Sequence, residues 1–535
     1  MQNQPFSGKI SPSLIRLCVD FWEFFMFACP ATDDFFRSRI DHMIDLRHPL
    51  AVLSSRMPWQ QIEASVAHLF VRKARAGVAM PELDLFGEAP APQARKNNAG
   101  RPRVALRIMI ALLYLKHAFN ESDEGVVERW GETPTWQFFS GQAYFEHRRP
   151  CDASTLVKFR QLLGDEGVEE LLAQTVNVAV ALKLIQPQEL EQVIVDSTVQ
   201  HKAIAHPTDS KLLETALVKL VEVAKQAGIE LKQTYAKEGQ ALGCKAGRYA
   251  HAKQWRRMKH TIKRQRTIVG RLQREVQRKA ATTLNAVSSA VQQALQTMLE
   301  RAAQIVEQSG QKKSKDGKPK LYSLHAPEVS CINKGKSRQP YEFGVKVGIA
   351  STAQHNLIVG AKAFHGNPYD GHTLAPQLEQ AAILMQDTGS KPSTAVVDLG
   401  YRGVDADNPD VRIVHRGKSK RLTQAERELL KRRQAIEPII GHLKQDHGMG
   451  RCHLKGELGD RLHAVLCAAG YNIKWLLRMI AQKGVAFLGS LFLCLRRGSG
   501  FAALKRLWGQ RRADGLQSGG SWALVDRLEM AGAGE

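Results

Sequence analysis

The chain has 535 residues, and its 76 Lys and Arg residues against 52 Asp and Glu residues give a formal net charge of +24 at pH 7. Such an excess of positive charge indicates a polyanionic partner, either nucleic acid or an acidic membrane surface. The eight cysteines have no C-x-x-C spacing, which argues against a zinc module and a disulfide framework and favours reduced thiols in a cytosol.

Two apolar stretches fall short of targeting or membrane-spanning segments. Residues 14–29 are interrupted by Arg16, Asp20 and Glu23, which is not the pattern of a signal peptide. Residues 484–495 form an apolar run of about twelve residues, whereas a membrane span needs about twenty. We therefore expect nucleic acid rather than a membrane as the partner, and a cytoplasmic, nucleoid-associated protein.

Helical signals dominate the first part of the chain. We expect an N-terminal helical segment over residues 1–90 and an all-α domain over residues 91–185, with a polar, Pro-rich linker at residues 89–100. Within this domain, apolar residues at helical spacing predict a helix over residues 103–119 with one buried face. Asp152 or Ser154 is the predicted N-cap of the next helix.

A short β-branched run then leads to Asp196, which is typical of a buried strand. An ionised carboxylate at the end of such a strand needs a cation or hydrogen-bond donors, although an Asp that caps the following loop is an equally ordinary explanation. After residues 186–210 the pattern changes. Residues 211–320 are almost wholly helix-forming and predict a helical insertion with one Gly-rich break at residues 239–247.

The insertion is strongly basic. Between Lys245 and Lys279 it carries thirteen Lys or Arg residues against the single acid Glu275. Two interpretations are open: a solvated basic helix face, or a face that lies along phosphates. The second interpretation makes Arg256, Arg257, Lys263 and Arg264 candidate DNA contacts.

Strand signals resume after the insertion. Residues 343–349 and 356–361 predict a β-hairpin, and residues 373–385 predict a helix. A second short apolar run then ends at Asp398. Residues 186–210 plus 321–480 therefore form one predicted α/β domain, a mixed sheet flanked by helices, and a basic, Gly-rich tail follows over residues 481–535.

A third acid lies in the motif Arg433-x3-Glu437-x6-Lys444. On one continuous helix these three residues fall on nearly the same face, with a carboxylate between two cations. A solvated helix face with an ion pair has the same spacing. Pro438 directly follows Glu437, so the helix either kinks there or begins there.

Taken together and in order, the motifs resemble those of the DDE transposases of bacterial insertion sequences, in the group with an N-terminal helical domain before an RNase H-like catalytic domain. The resemblance spans roughly residues 101–475. It departs at Leu430, where related families often have Tyr. The matching segments are Ser122-Asp123-Glu124, Trp136–Gly141, Asp152–Leu156, Asp196-Ser197-Thr198, His206–Ser210, Tyr341–Lys346, Gly366–His372, Asp398–Gly403 and the Arg433, Glu437, Lys444 motif.

The resemblance implies an enzyme that cuts DNA at the ends of a mobile element and joins those ends to target DNA. Asp196, Asp398 and Glu437 would be the catalytic residues and would hold two Mg²⁺ ions, with Mn²⁺ as an alternative. The partners would be double-stranded DNA, namely terminal inverted repeats and target DNA, and a second copy of the chain in a homodimer. Residues 91–185 would bind the DNA ends or dimerise.

The same resemblance suggests which cations contact DNA. Arg433 would bind phosphates bidentately, and Lys444 as a point charge. Lys346, on the predicted hairpin, and Arg402, just after Asp398, are further candidates. Two other functions stay open: a catalytically inactive DNA-binding relic or regulator, and an RNase H-fold nuclease that cuts without joining.

Overall fold

The computed structural model of the chain describes residues 38–70, 103–283, 288–310, 320–333 and 340–496, with side chains described up to residue 483 in the last helix. The expectations for residues 1–37, for residues 71–102, which include the Pro-rich linker, and for residues 497–535 of the predicted tail lie outside the described residues.

The N-terminal part is helical, as predicted. Ser122 and Asp152 cap two of its helices by accepting hydrogen bonds from the backbone N–H groups of Gly125 and Ser154. The longest helix is interrupted at Gly164, whose φ of 64° and ψ of −168° are not helical. The helices are α1 (Ile40–Met43), α2 (Pro49–Arg56), α3 (Trp59–Ala67), α4 (Leu106–Ala118), α5 (Asp123–Glu132), α6 (Pro134–Phe139) and α7 (Ala153–Ala181).

Helix α4 differs from the prediction of one buried face. Every residue from Met109 to Leu115 is buried, as are His117 and Ala118. The reason is that α4 is enclosed by α5, α7 and the last helix of the chain. A helix that is apolar all round belongs in the centre of a core rather than on its surface.

Six strands form one mixed sheet in the order β2-β3-β1-β5-β6, with β4 also paired to β3. Strand β3 pairs in antiparallel fashion with β1, β2 and β4. Strand β5 pairs in parallel with β1 and with β6. This is the mixed sheet expected of the RNase H-like fold. The strands are β1 (Gln192–His201), β2 (Ser330–Asn333), β3 (Tyr341–Thr352), β4 (Ile358–Phe364), β5 (Thr394–Val396) and β6 (Arg412–Val414).

Strands β3 and β4 confirm the predicted hairpin, and the helix predicted after it is α12 (Asp370–Leu384). The close pairing of β3 with β1 depends on Gly344. A Cβ atom at this position would lie 1.9 Å from the backbone oxygen of Gln200, so no other residue fits without moving a strand.

The helical insertion follows β1 and has its own apolar cluster. Val269, Leu272 and Val276 lie at helical spacing and are buried in that cluster, and Ile262 packs against it. The expected Gly-rich break at residues 239–247 is wrong. The four helices are α8 (Asp209–Gln226), α9 (Ala236–His251), α10 (Trp255–Thr283) and α11 (Ser289–Gln308).

The glycines of that segment lie within α9 because they allow close helix packing. A Cβ atom at Gly239 would lie 3.2 Å from the Leu217 side chain, and one at Gly243 would lie 2.3 Å from a carboxylate oxygen of Glu214, both on α8. Glycines four residues apart share one helix face. Their spacing therefore indicates a helix contact and not a loop.

The C-terminal part contains α13 (Gln424–Arg432), α14 (Ile436–Asp446) and α15 (Gly456–Arg496). Helix α15 packs against α4, α7 and β4, so the N-terminal helices and the sheet share one continuous core. Among the described residues, the stretch Gly456–Lys483 of α15 is long and apolar enough to span a membrane by composition alone. Its apolar character has another explanation, because 78% of the candidate window is buried inside the protein.

Candidate active site

Asp196, within β1, and Asp398, two residues beyond the end of β5, lie beside each other at neighbouring parallel strands. The last register pair between β1 and β5 is Ile194 with Val396, and each aspartate follows its member of that pair by two residues. Side chains two residues apart on a strand point to the same face. Both carboxylates therefore lie on one face of the sheet, at the edge where β5 ends.

Strand β1 does not end at Asp196, as the sequence suggested, but continues to His201. Its antiparallel partner β3 stays paired to it along this extension, whereas its parallel partner β5 stops at Val396. Asp196 thus sits in a fully ordered strand at the point where one neighbouring strand leaves. This position explains why the Asp196 side chain is 21% exposed and the Asp398 side chain is 52% exposed.

Glu437 follows a residue that packs into a small apolar cluster close to Asp196 and Asp398. Ile194 and Val396 belong to this cluster, and so does Ile436, the residue before Glu437. Helix α14 begins at Ile436 and packs against β1. Glu437 is exposed in the first turn of this helix.

Pro438 marks the start of a helix rather than a kink. Residues Arg433–Ala435 form a 3₁₀ turn between α13 and α14, and Pro438 occupies the first turn of α14. A proline costs no hydrogen bond there, because the first N–H groups of a helix have no intrahelical partner. The assumption of one continuous helix from Arg433 to Lys444 is therefore wrong.

Arg433 bridges the two aspartates. Its Nη1 lies 3.4 Å from Oδ2 of Asp196, and its Nη2 lies 3.7 Å from Oδ1 of Asp398. The Arg433 side chain is 14% exposed, so the guanidinium is held among the carboxylates instead of extending into solvent. The planar fork of Arg suits two acceptors at once, which a Lys ammonium at this position would not match.

Lys346, a predicted DNA contact, is buried and bonded within the protein. Its ammonium donates to the carbonyl of Pro368 at 2.6 Å and to Oδ1 of Asp370 at 3.1 Å. The Ser197 hydroxyl donates to the same Asp370 oxygen at 3.0 Å. Asp370 therefore ties Lys346 to the residue that follows Asp196. The sequence motif contains Asp370, but nothing in its spacing indicated this contact.

The buried Tyr401 adds a neutral neighbour to this part of the site. Burial raises its pKa, and the negative charges of Asp370 and Asp196 raise it further. The hydroxyl therefore stays protonated at neutral pH and can donate a hydrogen bond.

Arg402 is exposed and follows the 3₁₀ turn Leu399–Tyr401. The basic 3₁₀ segment Arg416–Arg421, which follows β6, was not predicted from the sequence. Since β6 is parallel to β5, this segment leaves the sheet at the same edge as Asp398. The composition of this segment could have identified it as a candidate DNA contact, because four of its six residues are Lys or Arg.

The structure places Lys444 in the last turn of α14, half-buried, two turns beyond Glu437. His442 pairs with Asp446 through a 2.6 Å contact on the exposed side of the same helix.

The remaining predicted DNA contacts lie on α10 of the insertion. Arg256, Arg257 and Lys263 are exposed. Arg264 is half-buried and forms an ion pair with Glu238 at 2.8 Å. Arg264 therefore contributes less free positive charge than its neighbours.

A second group of metal-ligating residue types lies in the core. The Cys467 sulfur is 3.7 Å from His117 Nδ1 and 3.7 Å from His463 Nε2. His463 Nε2 donates to the carbonyl of Gly448, so this nitrogen carries a proton and has no lone pair for a metal. Burial lowers the pKa of His463 to about 4, with Lys116 and Arg160 adding to the effect. These nearby cations also oppose a metal ion, and the group is best described as hydrogen-bonded core.

Two family models match the chain. Residues 38–162 match a transposase domain (DUF772), and residues 309–473 match a transposase DDE domain. The second match contains Asp398 and Glu437 but not Asp196, which lies between the matched segments. An uncharacterized protein, ORF8 in the nfe locus of Rhizobium meliloti, is 42% identical over 223 residues, which is 42% of this chain and 95% of that protein. No solved structure matches.

The matched domains, in this order, are those of a transposase, an enzyme class that acts on DNA by phosphoryl transfer and generally uses divalent metal ions. The mixed sheet carrying two neighbouring aspartates agrees with the match. The chain therefore belongs to the DDE transposases of insertion sequences and functions in DNA transposition.

Proposed function

We propose that this transposase cleaves DNA at the ends of its element and transfers those ends into target DNA, with Asp196, Asp398 and Glu437 as its catalytic residues. The observation that supports this assignment best is the equal offset of Asp196 and Asp398 on neighbouring parallel strands. The apolar cluster that includes Ile194, Val396 and Ile436 supports the inclusion of Glu437.

The donor set fits hard divalent cations. Three carboxylates supply only oxygen ligands, which Mg²⁺ and Mn²⁺ prefer. A positive charge is already accommodated between two of them, since the Arg433 guanidinium contacts both aspartates. We propose that the three acids hold two Mg²⁺ ions, with Mn²⁺ as a substitute. When bound, such ions lower the pKa of an attacking water or 3′-hydroxyl and stabilise the leaving oxygen.

The cations around the acids would position the DNA backbone. The Arg433 guanidinium is suited to bind a phosphate bidentately, and Lys444 and Arg402 are suited to contact phosphates of the same DNA strand. Residues of the insertion would bind the flanking duplex, namely Arg256, Arg257, Lys263 and Arg264. Lys346 is proposed to act through Asp370 and Ser197, because its ammonium is bonded within the protein.

Different segments of the chain are proposed to have different roles. We propose that residues 91–185 bind the terminal inverted repeats or dimerise, and that residues 186–210 plus 321–480 carry out catalysis on both terminal and target DNA. A homodimer in the cytoplasm, associated with the nucleoid, would hold two element ends together.

Single alanine variants of Asp196, Asp398 and Glu437 test the catalytic assignment. The DNA flanking the gene first supplies the inverted repeats for an end substrate. We expect each variant to lose cleavage and strand joining in Mg²⁺ while it retains binding to the element end. Glu428→Ala, which removes an exposed acid of α13, is the matched control and should cut and join normally.

The same assay separates the other two functions. A catalytically inactive binder would leave the wild-type substrate intact, and a nuclease would cut without producing joined strands. Normal joining by any one of the three alanine variants would show that this residue is not a catalytic ligand.

A further inference from the structure

An exposed tryptophan lies at the tip of the helical insertion, namely residues 252–259, which comprise the turn between α9 and α10 and the start of α10. Trp255 begins α10 and is 53% exposed. The other tryptophans in the described part of the chain are all at least 93% buried in the core. They are Trp59, Trp130, Trp136 and Trp475.

The backbone fixes Trp255 in this exposed position. Lys253 has a φ of 56°, and the N–H of Trp255 donates to its carbonyl at 3.1 Å. The apolar cluster of the insertion uses α10 only from Ile262 onward. Trp255 therefore contributes nothing to that core, although a Trp side chain is among the largest apolar groups available for burial.

Cations flank Trp255 in the sequence. Lys253, Arg256, Arg257 and Lys259 are all exposed, and no acid occurs in the sequence between residues 239 and 274. Arg257 donates to the neutral side-chain oxygen of Gln254 at 3.1 Å, so its charge is not neutralised there. The tip thus combines one aromatic face with a dense positive charge.

This combination fits a nucleobase next to its phosphates. Aromatic side chains stack on unpaired bases without regard to sequence, and neighbouring Lys and Arg residues neutralise the backbone. A second copy of the tip fits poorly, because self-association would bring the same cations together. A membrane surface fits less well, since the residues beside Trp255 on the exposed turn are polar and provide no apolar face to insert.

We propose that Trp255 stacks on an unstacked base of the bound DNA while Lys253, Arg256, Arg257 and Lys259 hold the adjacent phosphates. This inference rests on the proposed action on DNA and adds a contact for DNA whose base stacking is locally opened. It does not depend on the three acids.

The test compares two substitutions of Trp255 in the full-length chain. The probe is a duplex with a 2-aminopurine placed in a mismatch, and the reference is the same duplex fully paired. We expect the wild type to bind the mismatched probe more tightly and to change the 2-aminopurine fluorescence. Trp255→Leu keeps an apolar side chain without an aromatic face and should lose roughly 5- to 100-fold in affinity for the mismatched probe. Trp255→Phe should retain most of it.

Salt dependence distinguishes stacking from charge. Trp255→Leu should leave the slope of log K against log salt unchanged, whereas the double variant Arg256→Ala, Arg257→Ala should reduce it by roughly 0.9 for each phosphate contact removed. Circular dichroism and thermal melting of the variants establish that the fold is retained.

Equal binding of both probes by the wild type and Trp255→Leu would overturn the stacking contact while leaving the action on DNA intact. An altered sedimentation coefficient of Trp255→Leu without DNA would also overturn it and would indicate self-association through Trp255. A loss of binding confined to anionic phospholipid vesicles would overturn it as well and would indicate a membrane contact. Failure of the wild type to bind either DNA probe would instead count against the proposed function itself.

Discussion

At the scale of single residues, the contact of Arg433 with both aspartates links metal binding to DNA binding. The guanidinium contacts oxygens of Asp196 and Asp398, which in the proposed site would also bind a divalent ion, so the two cations would compete for them. A DNA phosphate offers Arg433 an alternative bidentate partner. Binding of DNA should therefore release the carboxylates, and the two ligands should strengthen each other's binding.

Removal of Arg433 tests this competition directly. Without DNA, Arg433→Ala should bind Mn²⁺ or Tb³⁺ more tightly than the wild type, by roughly 5- to 150-fold, because the competing cation is gone. Metal affinity is measured by electron paramagnetic resonance or by lanthanide luminescence, without any turnover. Asp398→Ala is the control that should lose metal binding. Weaker metal binding by Arg433→Ala would mean that the guanidinium organises the site and does not compete for it.

At the scale of secondary-structure elements, the position of Asp196 depends on the close contact of β1 with β3. Gly344 allows this contact, since a Cβ atom there would meet the Gln200 backbone oxygen at 1.9 Å. Backbone atoms in a paired strand cannot rotate away as a side chain can. Gly247 in α9 offers a contrast, because a Cβ atom at that position has no neighbour within 4 Å.

Alanine substitutions at the two glycines should therefore have opposite effects. Gly344→Ala should lower the free energy of unfolding by about 1–3 kcal/mol, the usual cost of overpacking. Gly247→Ala should raise the stability of its helix by roughly 0.5–1 kcal/mol, because glycine is a poor helix former. Thermal or urea unfolding of both variants provides the measurement. Unchanged stability in Gly344→Ala would show that β1 and β3 can separate at little cost.

The sequence was informative about elements where the pattern was long or repeated. The hairpin of β3 and β4 and the strands that lead to Asp196 and Asp398 followed from apolar runs and turn residues. Strands β2 and β6 were not predicted, since runs of four and three residues carry too little periodicity on their own. Strand β5 is equally short, but it was recognised from the apolar run that continues to Asp398. The glycines of α9 were misread because local propensity favours a break, whereas packing against α8 favours a helix.

The side-chain contacts of the site were less predictable than its acids. Arg433 and Lys346 were predicted as DNA contacts, and their partners within the protein, which lie on other elements, were not predicted. Asp196 and Arg433 are 237 residues apart in the chain, and Lys346 and Asp370 are 24 residues apart. Contacts of this kind depend on tertiary packing, which no local pattern encodes.

At the scale of the whole molecule, the described part of the chain contains two large apolar clusters with different tasks. One joins the N-terminal helices to the sheet that carries Asp196. The other lies within the insertion and supports its basic surface. Because the clusters do not share residues, we expect the insertion to lose its structure without disturbing the sheet.

A cavity in the insertion tests this independence. Leu272 is 1% exposed in the cluster of the insertion, so Leu272→Ala should cost about 2–5 kcal/mol of local stability. Hydrogen exchange should then accelerate in α8, α10 and α11, while β1 and β3 keep their protection and Asp196 keeps its environment. Leu112→Ala in the other cluster is the matched control and should accelerate exchange in the N-terminal helices and the sheet instead. Uniform acceleration by both variants would mean that the two clusters unfold as one unit, and the basic surface and the acids would then be mechanically coupled.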